Sequence, residues 1–419
     1  MELSLSDFDI EMQDFEVRKT GKFSRVWRIG YGGSIVGKPV LLDGRVYFGS
    51  RDCHIYCLDA DKGEETWRFR ADGPLPSGVE IFYNIVFAGS KDGYLYAVDA
   101  KNGRLLWRFK TGEEIFGIPC KHNERVYTGS KDGFVYCINI KTGREIWRFK
   151  TGDAVACSAS EHEGRIYIGS FDGNFYCLDA ETGKELWRFK TGDEIFTVEP
   201  FRIFNGFIYF GSFDNYLYAV NAETGKEKWR FRTGRFGNSS SPALHKGILY
   251  YGSRDGIMFA IREKDGKEVW RFHIGAEEII TQFPLIHEDR LYFGSGDDNL
   301  YCLDIETGKE IWRFKTDGVI YSSPQLWNNK IYFGSWDCHL YCLDLEGKEV
   351  WRFATSTLVP AFNPPVSDDF EIVVKKTRTE EEIEKEEKYE LNVAIGLRDE
   401  YDTKNEYQVK VEYQQKIKY

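Results

Sequence analysis

The sequence predicts an all-β fold: an eight-bladed β-propeller of four-stranded antiparallel blades, followed by a small C-terminal accessory β-sheet. Three observations predict it. A Trp-Arg step recurs nine times, at Trp27, Trp67, Trp107, Trp147, Trp187, Trp229, Trp270, Trp312 and Trp351, at intervals of 39 to 42 residues, and a period of that size marks stacked supersecondary units. Eight Gly-Ser-x-Asp turns lie between these tryptophans, among them Gly49–Asp52, Gly129–Asp132 and Gly211–Asp214. Each interval also contains several short runs of alternating apolar and polar residues, enough for four strands.

The fourth unit shows the elements in order. A variable run, Ala154 to Ser160, leads into Arg165–Gly169; a tight turn follows, then Asn174–Asp179. A second turn, Ala180 to Lys184, feeds Glu185–Lys190, where large apolar side chains sit two apart as a pleated strand requires. Four such strands make one antiparallel sheet, and a radial arrangement of eight sheets leaves only short, protected edges.

These residues carry a resemblance. The phrase Asp179-Ala180-x-Thr182-Gly183 before Trp187, the Gly-Ser-x-Asp-Gly turn upstream, and the runs Ser240-Ser241-Pro242 and Ser322-Ser323-Pro324 are similar to the quinoprotein-type, PQQ-binding-like β-propeller repeat, over residues 24 to 355. That resemblance implies the propeller fold. For function it implies one of two things, because the family holds quinone-dependent alcohol dehydrogenases as well as cofactor-free propellers that scaffold protein complexes. Family dehydrogenases clamp the quinone with two adjacent cysteines, coordinate calcium with carboxylate and amide oxygens, and use an aspartate as base. No two cysteines are adjacent in this chain, and units of this length leave no long loops from which to build a deep pocket. The expectation is a non-enzyme without cofactor.

Composition agrees with one large aromatic-cored body: 42% apolar and 16% aromatic residues, with 41 glycines for turns. Residues 1 to 7 have neither a basic nor an apolar signal region, and no stretch approaches transmembrane length. Cys57, Cys137, Cys177, Cys302 and Cys342 occupy one repeat position that Ala97, Ala219 and Ala260 fill in other units. Exchange with alanine indicates a small core site rather than a disulfide framework. The expected compartment is the cytoplasm, with no membrane association. Of the net charge of −11, the flanks carry most: residues 1–26 and 367–419 hold 21 acids and 14 bases, leaving 46 acids and 42 bases between them. A near-neutral body argues against a surface that coats nucleic acid. Charged residues at 29% would suit a thermophile with surface ion-pair networks.

Comparison of the repeats separates scaffold from candidate site. The Trp, the following Arg and the turn Asp recur in every unit and are explained by packing and turn chemistry. Symmetry breaks at the residue before the turn Asp, which reads Arg51, Lys91, Lys131, Phe171, Phe213, Arg254, Gly296 and Trp336. This turn is expected on the face near the channel mouth, where cations alternating with rings suit a protein partner. The loops entering the first strands add Glu113, Glu114, Asp193, Glu194, Glu277 and Glu278, with Arg235 as the exception. Two Asp-Cys-His phrases, at Asp52–His54 and Asp337–His339, would become neighbours on ring closure. Their spacing lacks a preorganised Cys-x-x-Cys loop, so metal binding is not expected.

Nine Trp strands for eight units leave one over, and the sequence favours the N-terminal copy, Ser24 to Gly30, as the strand that completes the eighth blade in place of Lys348 to Ala354. The domain reading is a flank at 1–23, the propeller at 24–358, a Pro-rich linker at 359–367 and a three-stranded module at 368–419. In that module Phe370, Ile372 and Val374 alternate with polar residues. Alternation resumes, after a charged connection from Thr379 to Lys388, at Tyr389, Leu391, Val393, Ile395 and Leu397, and again at Tyr407, Val409, Val411 and Tyr413. Three strands cannot cover their own apolar face. The lead-in Leu3, Leu5, Phe8, Ile10 and Met12 is expected to join them, in a sheet that docks on the propeller, a second copy or another protein.

The functional expectation is a non-catalytic interaction scaffold within a larger cytoplasmic complex. Two alternatives remain: an adaptor on a ribonucleoprotein such as a ribosomal subunit, through Arg51, Lys91, Lys131 and Arg254, and a PQQ-dependent oxidoreductase.

Overall fold

A computed structural model describes residues 15–19, 30–31, 33–275, 280, 283–355, 360–361, 370–374, 385–393 and 409–417, with side chains for those between 33 and 355. Trp27, Arg28, Glu277, Glu278, Ile395, Leu397, Tyr407 and the apolar lead-in from Leu3 to Met12 lie outside the described residues.

Eight four-stranded antiparallel sheets, each built from four consecutive strands, form the propeller blades. Blade 4 comprises Ser160–His162, Arg165–Gly169, Asn174–Asp179 and Glu185–Lys190. Its register aligns Ser160, Tyr167, Cys177 and Trp187 in one row. Side chains in such a row share a face, and the rings of Tyr167 and Trp187 approach to 6.0 Å between centroids. They meet over the residue between them, which is why that position accepts only Cys or Ala. All five cysteines there are fully buried, and none of the nine cysteines is in a disulfide.

The register then slips by one residue between Trp187 and Glu185. This bulge expels Leu186, which is 46% exposed, and brings Glu185 beside Arg188, with Nε to Oε1 at 2.7 Å. The guanidinium also lies 5.2 Å from the Tyr176 ring centroid. The arginine ladder is therefore consumed within the blades, by a neighbouring glutamate and an aromatic ring, in the same way at Arg68, Arg230 and Arg313.

Blades lock to their successors through the indoles. Trp147 Nε1 donates to the carbonyl of Ala180 in blade 4 at 3.2 Å, and the Tyr127 hydroxyl donates to the same oxygen at 3.0 Å. The Trp147 ring lies flat against Gly183, whose φ is 69°; a Cβ there would stand 2.6 Å from the ring. Only glycine meets both the positive φ and the close approach.

Closure corrects one expectation. The eighth blade is completed by the C-terminal copy, Glu349–Ala354, in sequence with Gln325–Trp327, Lys330–Gly334 and His339–Asp344. Gly30 and Tyr31, at the end of the N-terminal copy, lie instead in a two-stranded ladder with Pro360–Ala361. The ring closes by the same side-chain locks that join every other pair of blades, so no strand exchange is needed.

The chain divides into two units, Gly30–Pro360 and a second formed by Met1–Ile29 with Ala361–Tyr419. In the second, Phe15–Lys19 pairs antiparallel with Phe370–Val374, and Lys385–Val393 pairs with Val409–Ile417. The latter ladder sets Tyr389, Leu391 and Val393 opposite Tyr413, Val411 and Val409. Part of the charged run expected as a connection, Lys385–Lys388, is therefore strand, because the longer partner extends to Ile417 and supplies ladder positions for it.

Candidate functional site

Each Gly-Ser-x-Asp turn is held by its aspartate. Asp172 Oδ1 accepts from Asn174 N at 2.8 Å, while Oδ2 accepts from the Tyr176 hydroxyl at 2.6 Å and from Gly152 N, in the loop that arrives from blade 3, at 2.7 Å. Burial opposes ionisation of this carboxyl, but the bonds from Tyr176, Asn174 and Gly152 prevail and hold it below the usual range. The turn is thereby clamped to the incoming loop, which fixes the position of its variable third residue.

The eight variable residues form a crown in which seven are linked to rings or charges of the same face, and none of the eight is fully exposed. Arg51 is 8% exposed, with its guanidinium 5.0 Å from the centroid of Trp336 in the neighbouring eighth blade. Trp336 meets Tyr321 edge-on at 5.2 Å. Lys131 Nζ pairs with Glu114 at 2.8 Å and lies 5.5 Å from the Phe116 ring. Phe116 packs on Phe196 at 5.4 Å, and Phe196 in turn lies 6.1 Å from Phe171 and 6.4 Å from Phe213. Arg254 stands 5.1 Å over Phe213. Cations from blades 1 to 3 thus form one arc, and rings centred on blades 4 and 5 form the other. Lys91, in the middle of the cationic arc, is pushed down to about 8 by burial and by Arg51 and Lys131, with Glu114 opposing.

Repeat comparison found the turn residues but missed Phe116, Phe196 and Tyr321, which come from the loops entering the first strands. A signal was present, since in each of those loops an isoleucine precedes the ring: Ile115, Ile195 and Ile320. It also missed a buried ionic group deeper along the first-strand runs. Lys38 Nζ pairs with Glu80 at 3.1 Å, Arg202 lies 4.3 Å over Phe283, and Glu199 is 1% exposed. Burial raises the Glu199 carboxyl, with Lys38 and Arg202 opposing. Two of the eight steps are the longest, 42 residues, from Trp187 to Trp229 and from Trp270 to Trp312, and they contain Glu199 with Arg202 and Phe283 respectively.

A groove of 640 Å³ opens between blades 5 and 6, lined by Arg232, Arg235, Asp255, Phe259, Arg271 and His273 among others. It lies where Phe259 replaces the tyrosine that binds the turn aspartate in the other seven blades, and Asp255 accepts from Arg235 N instead.

These residues do not fit a quinone. The backbones of Gly37 and Gly78 approach so closely that a Cβ on Gly37 would stand 1.8 Å from Gly78 N, and Phe116 and Phe196 pack on each other and are buried. With no adjacent cysteine pair in the chain, the clamp of a quinone site is missing as well.

The model of a family described as the beta-alanine-activating enzyme β-propeller matches residues 121–380. The model described as outer membrane protein assembly factor BamB matches residues 18–107 and 52–161. Among solved structures, BamB from Moraxella catarrhalis is similar at 20% identity and a TM-score of 0.64, over 74% of this chain and 94% of that one. The computationally designed Ika8 protein is similar at 18% identity and 0.67, over 75% and 98%. The quinohemoprotein alcohol dehydrogenase ADHIIG from Pseudomonas putida HK5 is similar at 14% identity and 0.63, over 81% and 77%. No curated protein matches.

Proposed function

This chain belongs to the PQQ-like β-propeller repeat family, in the branch whose model is the beta-alanine-activating enzyme propeller, and we propose from that premise that it is a non-catalytic interaction scaffold that binds protein partners through its crown. The observation that carries this reading is the interleaving of cations and rings at the variable turn positions. Arg51 on Trp336 and Arg254 on Phe213 join neighbouring blades, and Lys131 lies on Phe116 from the loop that enters its own blade. Preorganised arginine and aromatic side chains are the usual anchors of protein interfaces. The similarity to BamB supports such a role at the level of fold. Nine thiols with no disulfide support a reducing, cytoplasmic setting.

The test is capture from native extract with the full chain, compared with Arg51→Glu, Lys91→Glu, Lys131→Glu, Arg254→Glu and Trp336→Ala. Loss of one defined set of partners across these variants supports the crown; capture indifferent to all of them refutes it. The cationic arc favours a ribonucleoprotein adaptor as the second reading, for which co-sedimentation with ribosomes would survive nuclease and be lost on charge reversal. Titration with pyrroloquinoline quinone examines the enzymatic reading directly, since binding at tens of micromolar would overturn the proposal. Docking or dimerisation through the ladder that carries Leu391, Val393, Val409, Val411 and Tyr413 is part of the same proposal, and light scattering of the full chain examines it.

A further inference from the structure

The groove between blades 5 and 6 lies where blade 6 departs from the repeat at three positions. Its third strand is Ile257–Arg262 and its fourth is Glu268–His273. Phe259 stands where the other seven blades carry the tyrosine that binds the turn aspartate. His273 stands where blades 2, 3 and 4 carry Lys110, Lys150 and Lys190, each of which donates to a carbonyl of its own turn. Both exchanges shorten the side chain. The third departure is the loop that enters blade 6. Each of the other six loops between blades carries at least one acid, Asp72, Glu113, Asp153, Asp193, Glu277 and Asp317 among them, whereas Thr233 to Asn238 carries none and holds Arg235.

Register and packing put these groups on one surface. Ile257 lies opposite His273 and Phe259 opposite Arg271, so the four side chains share a face of blade 6. That face is turned to blade 5, because the Phe231 ring of blade 5 meets Phe259 at 5.3 Å. The loop crosses the same gap: Arg235 N donates to Asp255 Oδ2 at 2.9 Å, and Gly237 N donates to Asn215 Oδ1 of blade 5 at 2.8 Å. Two glycines allow this path. A Cβ on Gly234 would stand 1.8 Å from Asp255 Oδ2, and one on Gly237, at φ 76°, would stand 2.8 Å from the Phe213 ring. Arg235 thus lines the groove from a loop pinned to both blades.

Among the described residues, the charged groups on this surface are Arg235, Arg271 and His273, with the carboxylates of Asp255 and Glu268. Both carboxylates are engaged from within. Glu268 accepts from Nε of Arg271 at 2.7 Å and from its Nη2, and Asp255 accepts the Arg235 amide and lies 3.8 Å from Arg235 Nε. A guanidinium has five N–H donors. Glu268 takes two of those on Arg271 and fixes its plane, 5.2 Å from the Phe259 centroid, which leaves the others for a second oxyanion. Arg232 also borders the groove, but it shares a face with Tyr218, which meets Phe189 of blade 4, so its charge is not counted. From this arrangement we infer that the groove binds an organic phosphate, with the phosphate on Arg235, Arg271 and His273 and a flat, apolar body along the wall that Ile257 and Phe259 supply. Forked guanidinium groups match the oxygens of a phosphate, and 640 Å³ accommodates a small organic molecule.

This site does not depend on the crown reading. The probe is 1-naphthyl phosphate, titrated by fluorescence against the full chain, with 1-naphthol and inorganic phosphate as its two halves. Arg235→Asp installs the residue that the loops into blades 4 and 5 carry, and Phe259→Tyr installs the ring of the other seven blades. Both substitutions are native to the repeat, and circular dichroism checks that the variants fold. Arg235→Asp is expected to weaken naphthyl phosphate about tenfold or more. Phe259→Tyr, whose hydroxyl returns to the space beside Asp255, is expected to weaken it in the same direction. Bound ligand is expected to slow amide exchange at 234–237 and 257–259. Equal affinity for both variants, protection confined to other blades, or no binding at about 1 mM would overturn the inference. So would naphthol or inorganic phosphate binding as tightly as the ester, since the anion or the apolar wall would then contribute nothing.

Discussion

Trp351 Nε1 donates to the carbonyl oxygen of Ala60 at 3.2 Å across 291 positions of sequence. The Tyr332 hydroxyl donates to the same oxygen at 3.0 Å. This pair repeats the Trp147 and Tyr127 contact with Ala180, but here no blade-to-blade chain connection supports it. The seam between blades 8 and 1 is therefore closed without a covalent link, by these side chains together with the backbone bond from Ile35 N to the Ser335 carbonyl at 3.1 Å. Trp351→Ala is expected to cost about 3 kcal/mol, as removal of a large packed ring does, and to raise amide exchange in blades 1 and 8 before others. Trp147→Ala should cost a similar amount without that localised opening. Hydrogen-exchange mass spectrometry of both variants checks the distinction; uniform exchange in Trp351→Ala would contradict it.

Gly183 and Gly206 share a positive φ, at 69° and 77°, but differ in surroundings. A Cβ at Gly183 meets the Trp147 ring, whereas one at Gly206 meets nothing within 4 Å. Gly206→Ala should lose only the backbone term, about 1–2 kcal/mol. Gly183→Ala should lose that and a further ~1–3 kcal/mol of overpacking. Urea unfolding of the two variants gives the difference.

The small site under the rings behaves differently. Cys177→Ala should change stability by less than about 1 kcal/mol, since alanine occupies the same row in other blades. Cys177→Leu should destabilise strongly, because it would separate the Tyr167 and Trp187 rings that meet there.

Burial and hydrogen bonds to turn aspartates push Tyr136 and Tyr176 up to about 12, and burial does the same to Tyr47. The folded state therefore keeps phenolic protons that the unfolded chain releases from about pH 10 upward. Their contribution to stability is fully present below that pH and is lost as pH rises toward 12. Thermal midpoints should fall steeply above pH 10, with tyrosinate absorbance appearing together with unfolding rather than before it.

Lys91 carries the opposite sign. Its folded value near 8 lies below the ordinary lysine value, so its charge opposes folding at neutral pH. The opposition is relieved as pH rises from 8 to about 10. Lys91→Met should equal or exceed wild type in stability at pH 7, with the gap narrowing by pH 10 and partner capture reduced. A destabilised Lys91→Met at pH 7 would contradict this account.

Blade number, strand order and the role of the tryptophans were legible in the chain because the repeat states them eight times, and each blade needs the same row of Tyr, small residue and Trp. The crown was legible only as a departure from that repetition. Arg51, Lys91 and Phe171 could be singled out, but not that Arg51 would lie on Trp336, since those residues are 285 positions apart until the ring closes. Phe116 and Phe196 were missed because they enter from loops whose length varies between units. The accessory strands could be placed only in outline, because alternation sets which residues share a face and not which ladder a strand joins.

By itself, then, the sequence determined the periodic part of this protein: local alternation, turn chemistry and the equal spacing of indoles are properties of neighbouring residues. Tertiary structure decided everything that depends on blades meeting. It chose Glu349–Ala354 as the closing strand, set Arg51 on Trp336, and buried Glu199 where Lys38, from the run entering another blade, opposes the effect of its burial. The physical reason is that these outcomes follow from contacts between side chains far apart in the chain, whose mutual packing and charge have no counterpart in local pattern.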